Sequence, residues 1–166
     1  IGAMCSVLSL TEKLSPYYWL NVCDPGYDFG GVIEQTNFVP PSEYGGRHLV
    51  YLSRYLATDH PLWSMPDEDV LGRHLDQLSK LFGRDVRPLV ADRWVFRGRY
   101  AAPLPVSGFH RLIPTYKAPA AGLYVGSMAH IYPDERSVNN SLRVAAAVVS
   151  AMGFRDAAAA VPTGLS

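Results

Sequence analysis

Two stretches of this 166-residue sequence carry side chains able to do chemistry. In the first, Arg97, Arg99 and Tyr100 close a run, Trp94–Tyr100, that alternates with period two. Trp94, Phe96 and Tyr100 would point one way, and Val95, Arg97 and Arg99 the other. Two guanidinium groups on one strand face can grip an anionic substrate; they can equally stand solvated on a sheet surface. In the second, Arg136-Ser137-Val138-Asn139 opens an apolar run of helical period. The free amides of a helix start carry about half a positive charge and favour an anion, although a capped helix in any α/β domain shows the same pattern. The histidines (His48, His60, His74, His110, His130) lack metal-ligand spacing, and neither Cys5 nor Cys23 has a close partner, so no metal site is expected. No Gly-x-Ser-x-Gly elbow supports a hydrolase triad. Tyr44, Tyr51, Tyr55, Trp63, Trp94 and Tyr100 could line a substrate cavity or pack in a core.

The elements that must position these residues follow from period and punctuation. Met4–Leu10, Tyr17–Val22, Gly31–Gln35 and His48–Leu56 are short apolar or aromatic runs between turn signals, and all read as strands. The period then changes. Leu71, Leu75, Leu78 and Phe82 recur at steps of four, three and four, which predicts a helix over Asp67–Phe82, capped by Ser64 and stopped by Gly83. After the Trp94–Tyr100 strand, Gly122–Gly126 has a short buried-strand pattern. A loop, Met128–Ser137, and a helix of roughly Val138–Met152 follow. Asn139, Arg143 and Ser150 make one narrow polar stripe on that helix, which is otherwise apolar and should be buried on most sides. The fold class expected is α+β: an antiparallel or mixed sheet with a covering helix.

Composition narrows the function classes. Fifteen Lys+Arg balance fifteen Asp+Glu, which argues against nucleic acid as a partner. Charged residues make up 18% and apolar residues 48%, so the chain is folded and has little surface charge. Residues 1–100 hold 22 of the 30 charged side chains, leaving the remainder depleted in charge, as interfaces are. No apolar run is long enough for a transmembrane segment. Ile1-Gly2-Ala3-Met4 has no signal-peptide character, and with two cysteines a reducing, cytoplasmic setting is expected.

The order Gly122-Leu123-Tyr124-Val125, then Tyr132-Pro133-Asp134-Glu135-Arg136, then an apolar helix opened by Asn139, resembles the C-terminal flavin-contacting segment of FAD-dependent amine oxidase and protoporphyrinogen oxidase-like oxidoreductases. Ser15-Pro16-Tyr17-Tyr18-Trp19, Glu34–Pro41, Tyr44-Gly45-Gly46-Arg47-His48 and Arg97-Gly98-Arg99-Tyr100-Ala101 are similar to the substrate-domain half of bacterial members. The resemblance covers roughly residues 4–154. It implies a partial substrate-binding domain over 1–118, the last strand and helix of an FAD-binding domain over 119–154, and a tail over 155–166.

The resemblance also implies FAD as cofactor, contacted by Ser127, Met128, Arg136, Ser137, Val138 and Asn139, with Arg97, Arg99 and Tyr100 toward a small-molecule substrate. In such members a Gly-x-Gly-x-x-Gly unit holds the cofactor pyrophosphate. This sequence has none, so the chain is expected to lack the N-terminal dinucleotide-binding half, to be inactive alone and to cover its apolar helix by self-association. Ser137 and Val138 stand where close relatives have Gly and Thr; Asn139 is retained. A redox-neutral flavoenzyme, such as a sugar-nucleotide mutase with Arg97 and Arg99 on a diphosphate, is the alternative within flavoproteins. A cofactor-free small-molecule-binding module is the alternative outside them.

Overall fold

The computed structural model describes residues 1–154, which divide into two compact units, Ile1–Ala101 and the stretch from Ala102 onward. The tail expected over 155–166 lies outside the described residues. In the first unit, β1 (Gly2–Leu10), β2 (Trp19–Asn21), β3 (Gly31–Glu34), β4 (His48–Leu56) and β5 (Val90–Gly98) form one sheet in the order β2-β3-β4-β1-β5. Every pairing in it is antiparallel. One helix, α1 (Asp67–Phe82), covers one face. The α+β class read from the sequence is therefore the one observed.

Strand alternation decides what α1 covers. Met4, Leu8 and Leu10 of β1, Val32 of β3, and Val50, Leu52 and Leu56 of β4 are buried on the α1 side with Val70, Leu71, Leu75 and Leu78 of the helix. Phe29 and Val86 complete the layer from the connections. The helix stops as the sequence requires. Gly83 takes a positive φ of 65°, and its amide and that of Arg84 close on the Lys80 and Ser79 carbonyls.

The start of α1 differs from the sequence expectation. Ser64 is not the cap; its hydroxyl donates to the Pro61 carbonyl at 3.2 Å and closes the turn before the helix. Pro66 occupies the N-cap position, and its carbonyl receives the Asp69 and Val70 amides. The positive end of the helix is answered instead by Asp67, Glu68 and Asp69 in the first turn.

One polar side chain is sunk into the α1–sheet layer. His74 is buried, its Nδ1 lies 2.8 Å from the Ser6 hydroxyl, and its ring stands edge-on to Phe29 at 5.5 Å. Burial pushes its pKa down to about 4, opposed by the Asp28 carboxylate and reinforced by the Arg73 cation.

From Ala102 onward, the described structure is mostly turns and one helix, α2 (Val138–Ala151). Gly122–Gly126 is not the buried strand its pattern indicates. It makes a single bridge, Lys117 to Tyr124, flanked by the Val125–Tyr116 and Ala118–Leu123 backbone hydrogen bonds, and Leu123 and Val125 are exposed. A buried strand needs pairing partners on both sides, and these residues have one short partner. The connection to α2 also contains a single turn of 3-10 helix, Met128–Ile131. α2 has the expected span to within a residue, but none of its residues is buried among the described residues. No helix among the described residues is long and apolar enough to cross a membrane.

Two outcomes follow for the first unit. Leu75→Ala, at a fully buried position, should cost about 2–4 kcal/mol in urea denaturation. Because the folded state holds His74 below its unfolded pKa, its contribution is complete above about pH 6.5 and is lost as pH falls toward 4. Over that window stability should drop by roughly 3 kcal/mol. His74→Gln should flatten this part of the pH–stability curve, and an equally steep curve in the variant would assign the loss to carboxylates instead.

Candidate functional site

The face of the sheet away from α1 is uncovered within the first unit and carries most of its aromatic side chains. Strand pairing sets Trp19, Ile33, Tyr51, Val7 and Trp94 side by side, one from each strand, and sets Gly31, Ser53, Cys5 and Phe96 in the next row. None of these carries a formal charge. Burial pushes the Cys5 thiol up. Burial also raises the Tyr51 phenol, helped by the neighbouring Tyr44, Cys5 and Tyr18 groups. Both groups are therefore held in their neutral forms.

A cavity of about 320 Å³ opens on this face, lined by Ala3, Met4, Cys5, Trp19, Gly30, Gly31, Ser53, Arg54 and Tyr55. Arg54 belongs by alternation to the α1 side, and its guanidinium donates to the Tyr27 carbonyl at 2.8 Å. Gly31 makes the hollow. A Cβ there would sit 3.5 Å from the Ser53 hydroxyl and 3.8 Å from the Trp19 ring, in ordinary contact and in the space now open.

The aromatic edge of this face is anchored by a buried carboxylate. Glu34 is 1% exposed, accepts the Leu14 amide at 2.9 Å and takes the Ser15 hydroxyl on its other oxygen. Asn37 donates to the Ser15 and Tyr17 carbonyls, each at 2.9 Å. Together these bonds fix the segment Ser15–Trp19, whose Tyr18 packs on Phe38 at 5.4 Å. The sequence reading missed this brace and the role of Gly31. A signal was present: a Glu among the apolar residues of a strand requires donors nearby.

The three residues proposed for substrate are not gathered into one site. Arg97 turns to the α1 side, where it pairs with Asp67 and donates to the Met65 carbonyl at 2.7 Å. Arg93 does likewise with Glu68 at 2.6 Å. Arg99 and Tyr100 lie past the end of β5 and are exposed. Arg97 and Arg99 therefore form no two-pronged anion clamp.

In the second unit most of the proposed cofactor residues do come together. Two adjoining hollows of about 530 Å³ each run along α2 and share Met128, Ile131 and Ser141. Ser127, Val144 and Val148 line the first, and Arg136, Ser137 and Val138 line the second. Asn139 lies outside both and is exposed on the first turn of α2. Ser137 caps the helix, accepting the Asn140 amide at 3.2 Å. The Val138 and Asn139 amides are left with no acceptor inside the helix. Asn140, rather than Asn139, ties down the approach by donating to the Glu135 carbonyl at 2.6 Å.

Gly126 lets the backbone reach α2, since a Cβ there would come within 2.8 Å of Val148 and 3.0 Å of Val144. Ser127 is held by His130, whose Nδ1 accepts its amide at 3.1 Å and whose ring stacks on Tyr116 at 4.6 Å. The groove thus has an apolar wall (Ile131, Val144, Val148), a hydroxyl rim (Ser127, Ser141) and a helix start with free amides. A planar ring with an apolar end and an electron-rich polar edge fits that donor set. Among the described residues no three His, Cys, Asp or Glu side chains converge as a metal site would need.

The family model for flavin-containing amine oxidoreductases matches residues 11–149. Among solved structures, the chain is similar to an oxidoreductase from Methanosarcina mazei, with 22% identity and a TM-score of 0.58. That match covers 92% of this chain and 34% of the Methanosarcina chain, so the present sequence spans about a third of that relative's length. At this identity the likeness establishes the fold. No curated protein matches the sequence.

The close approach at Gly126 makes a testable point. Gly126→Val forces two branched side chains apart and should destabilise the α2 contact by about 1–3 kcal/mol. Hydrogen–deuterium exchange of the Val138–Ala151 amides should accelerate, more than in Gly126→Ala. Unchanged exchange in the valine variant would separate residue 126 from α2.

Proposed function

This chain belongs to the flavin-containing amine oxidoreductase family, and we propose that it is the C-terminal part of a longer FAD-dependent oxidoreductase. In this reading it supplies the substrate-bearing sheet and a helix start directed to the flavin. The observation that carries the proposal is the groove along α2, where free amides, two serine hydroxyls and an apolar wall meet. The substrate part is assigned to residues 1–118, of which Ile1–Ala101 is one compact unit, and the flavin-contacting part to 119–154. The Gly-x-Gly-x-x-Gly loop for the pyrophosphate would come from the rest of the protein.

Bound flavin supplies the redox chemistry, accepting a hydride and gaining negative charge at its pyrimidine edge. What this chain contributes is placement and electrostatics. The Val138 and Asn139 amides, at the positive end of α2, would stabilise that charge and raise the potential of the cofactor. The Ser141 hydroxyl, which donates to the Ser137 carbonyl at 2.9 Å, and the Ser127 hydroxyl beside His130 Nδ1 would offer acceptor oxygens to a ring N–H, while Ile131, Val144 and Val148 exclude water. Met128 and Arg136 border the same groove. The two uncharged central rows of the sheet face would hold the substrate, with Asp92 in the adjoining row and Arg99 and Tyr100 at the margin.

The complete protein should purify yellow, and Val144→Asp, which places a carboxylate in the groove wall, should lower its flavin content about tenfold or more. Val138→Pro, which removes one of these amides at the first helical position where proline is tolerated, should weaken flavin binding or shift its potential while the circular dichroism stays unchanged. The 166-residue chain by itself should purify colourless, because a helix start contributes only about 0.3–1 kcal/mol to a nearby anion. Full flavin occupancy in Val144→Asp would move the cofactor away from α2.

A further inference from the structure

Within that reading, which the inference rests on, the open sheet face says something about the class of substrate. We propose that the hollow over Gly31 receives an uncharged, planar apolar group of the substrate, an aromatic or conjugated ring system, rather than an ammonium, carboxylate or phosphate. Three observations support this independently of one another.

The first is charge. The cations nearest in sequence to this face are turned to the other side, Arg93 and Arg97 onto the first turn of α1 and Arg54 onto the Tyr27 carbonyl. No carboxylate stands in the two central rows, and Cys5 and Tyr51 are kept neutral by burial. An ion placed here would lose hydration with no partner to replace it, a cost of several kcal/mol. Groups without charge pay no such cost.

The second is shape. The floor is strand backbone with the small Ala3, Cys5 and Ser53 side chains, Trp19 and Tyr55 stand at the sides, and Arg54, whose guanidinium is tied to the Tyr27 carbonyl, borders the hollow. A flat floor with ring walls stacks a flat ligand. Gly31 is what keeps the floor open, since its backbone conformation requires no glycine and a side chain would fit there without a clash.

The third is rigidity. Trp19 emerges from a segment whose backbone is pinned by the buried Glu34 and by Asn37. The ring therefore needs little ordering on binding, which raises affinity.

The test uses three dyes on the 166-residue chain: Nile red, which is neutral and planar, thioflavin T, which is a cation, and anilinonaphthalene sulfonate, which is an anion. Nile red should bind and gain fluorescence, and the two ions should bind at least about tenfold more weakly. Gly31→Leu, which fills the hollow, should weaken Nile red about tenfold. Tyr55, 55% exposed, stands at the side of the hollow, and Tyr55→Lys tests the same site by placing a cation there; it should weaken Nile red and strengthen the sulfonate dye. Val144→Glu, in the α2 groove, should leave unchanged the Nile red component that Gly31→Leu weakens, since dye held in that groove would be a separate component. Equal binding of the charged dyes would overturn the proposal, as would Nile red affinity that Val144→Glu abolishes or that neither Gly31→Leu nor Tyr55→Lys alters. Flavin content of the complete protein, measured separately, decides the flavin reading whatever the dyes show.

Discussion

The burial of Leu71, Leu75 and Leu78 of α1 against Leu8, Val50 and Leu52 of the sheet is the contact on which the first unit depends. Side chains alternate along a strand, so choosing the covered face for one strand chooses the open face for all its neighbours. A slip of one residue in β1 would bring Cys5 and Val7 under the helix and turn Met4 and Leu8 outward. The register that buries the leucines is therefore the same register that lines up Trp19, Tyr51 and Trp94 on the other side. The open face is a consequence of the core.

Two polar groups inside this arrangement are tolerated because each has specific partners. Glu34 has donors for both oxygens, and those donors belong to the segment leading into β2. Its burial is thus repaid by order at the aromatic edge, in keeping with the rule that buried charge survives only when hydrogen-bonded. His74 is met less completely. Ser6 satisfies Nδ1, while Nε2 has no partner, which is consistent with a ring held neutral beside Phe29. Both groups come from elements that the apolar contacts have already positioned. The sequence signals that Glu34 needs donors, but which groups supply them depends on the fold.

The legibility of the sequence followed the strength of its periodicity. The Asp67–Phe82 helix and the His48–Leu56 strand stand where the spacing puts them, because a repeated apolar pattern over many residues admits one reading. Gly122–Gly126 failed because a five-residue apolar run carries no information about partners, and only one bridge forms. The helix start at Ser137 was legible from Ser followed by an apolar run, and it brought Ser127, Met128, Arg136 and Val138 to a common groove. The role of Asn140 in tying down the approach to α2 was not legible, since the bond to Glu135 depends on the path of the preceding loop. Arg97 and Arg99 show the same limit. Alternation correctly put Arg97 opposite the aromatic residues, but it could not tell that this side was occupied by α1 and its acids, and Arg99 lies past the end of the strand.

The uneven distribution of charge then acquires a structural meaning. Ion pairs such as Arg73–Asp28, Arg87–Asp76, Arg93–Glu68 and Arg97–Asp67 all involve α1 or lie at its border. Exposed pairs of this kind contribute at most about 1 kcal/mol each, so stability alone gives little reason to concentrate them there. Their effect is to keep the outer surface of α1 in water and to draw arginines away from the open sheet face. Around α2, Arg143 pairs with Asp134, while Val138, Leu142 and Met152 at or beside the helix stay exposed among the described residues. Leaving large apolar side chains in water forfeits about 1.5–3 kcal/mol apiece, a cost that a neighbouring surface would remove. If the chain is part of a longer flavoprotein, as proposed above, the rest of that protein would offer such a surface, and a planar cofactor laid along the groove would cover part of the same face. On the readings proposed above, the charge-poor part of the sequence would be covered by neighbours, and the charge-rich part would face water on the α1 side and an uncharged ligand on the other.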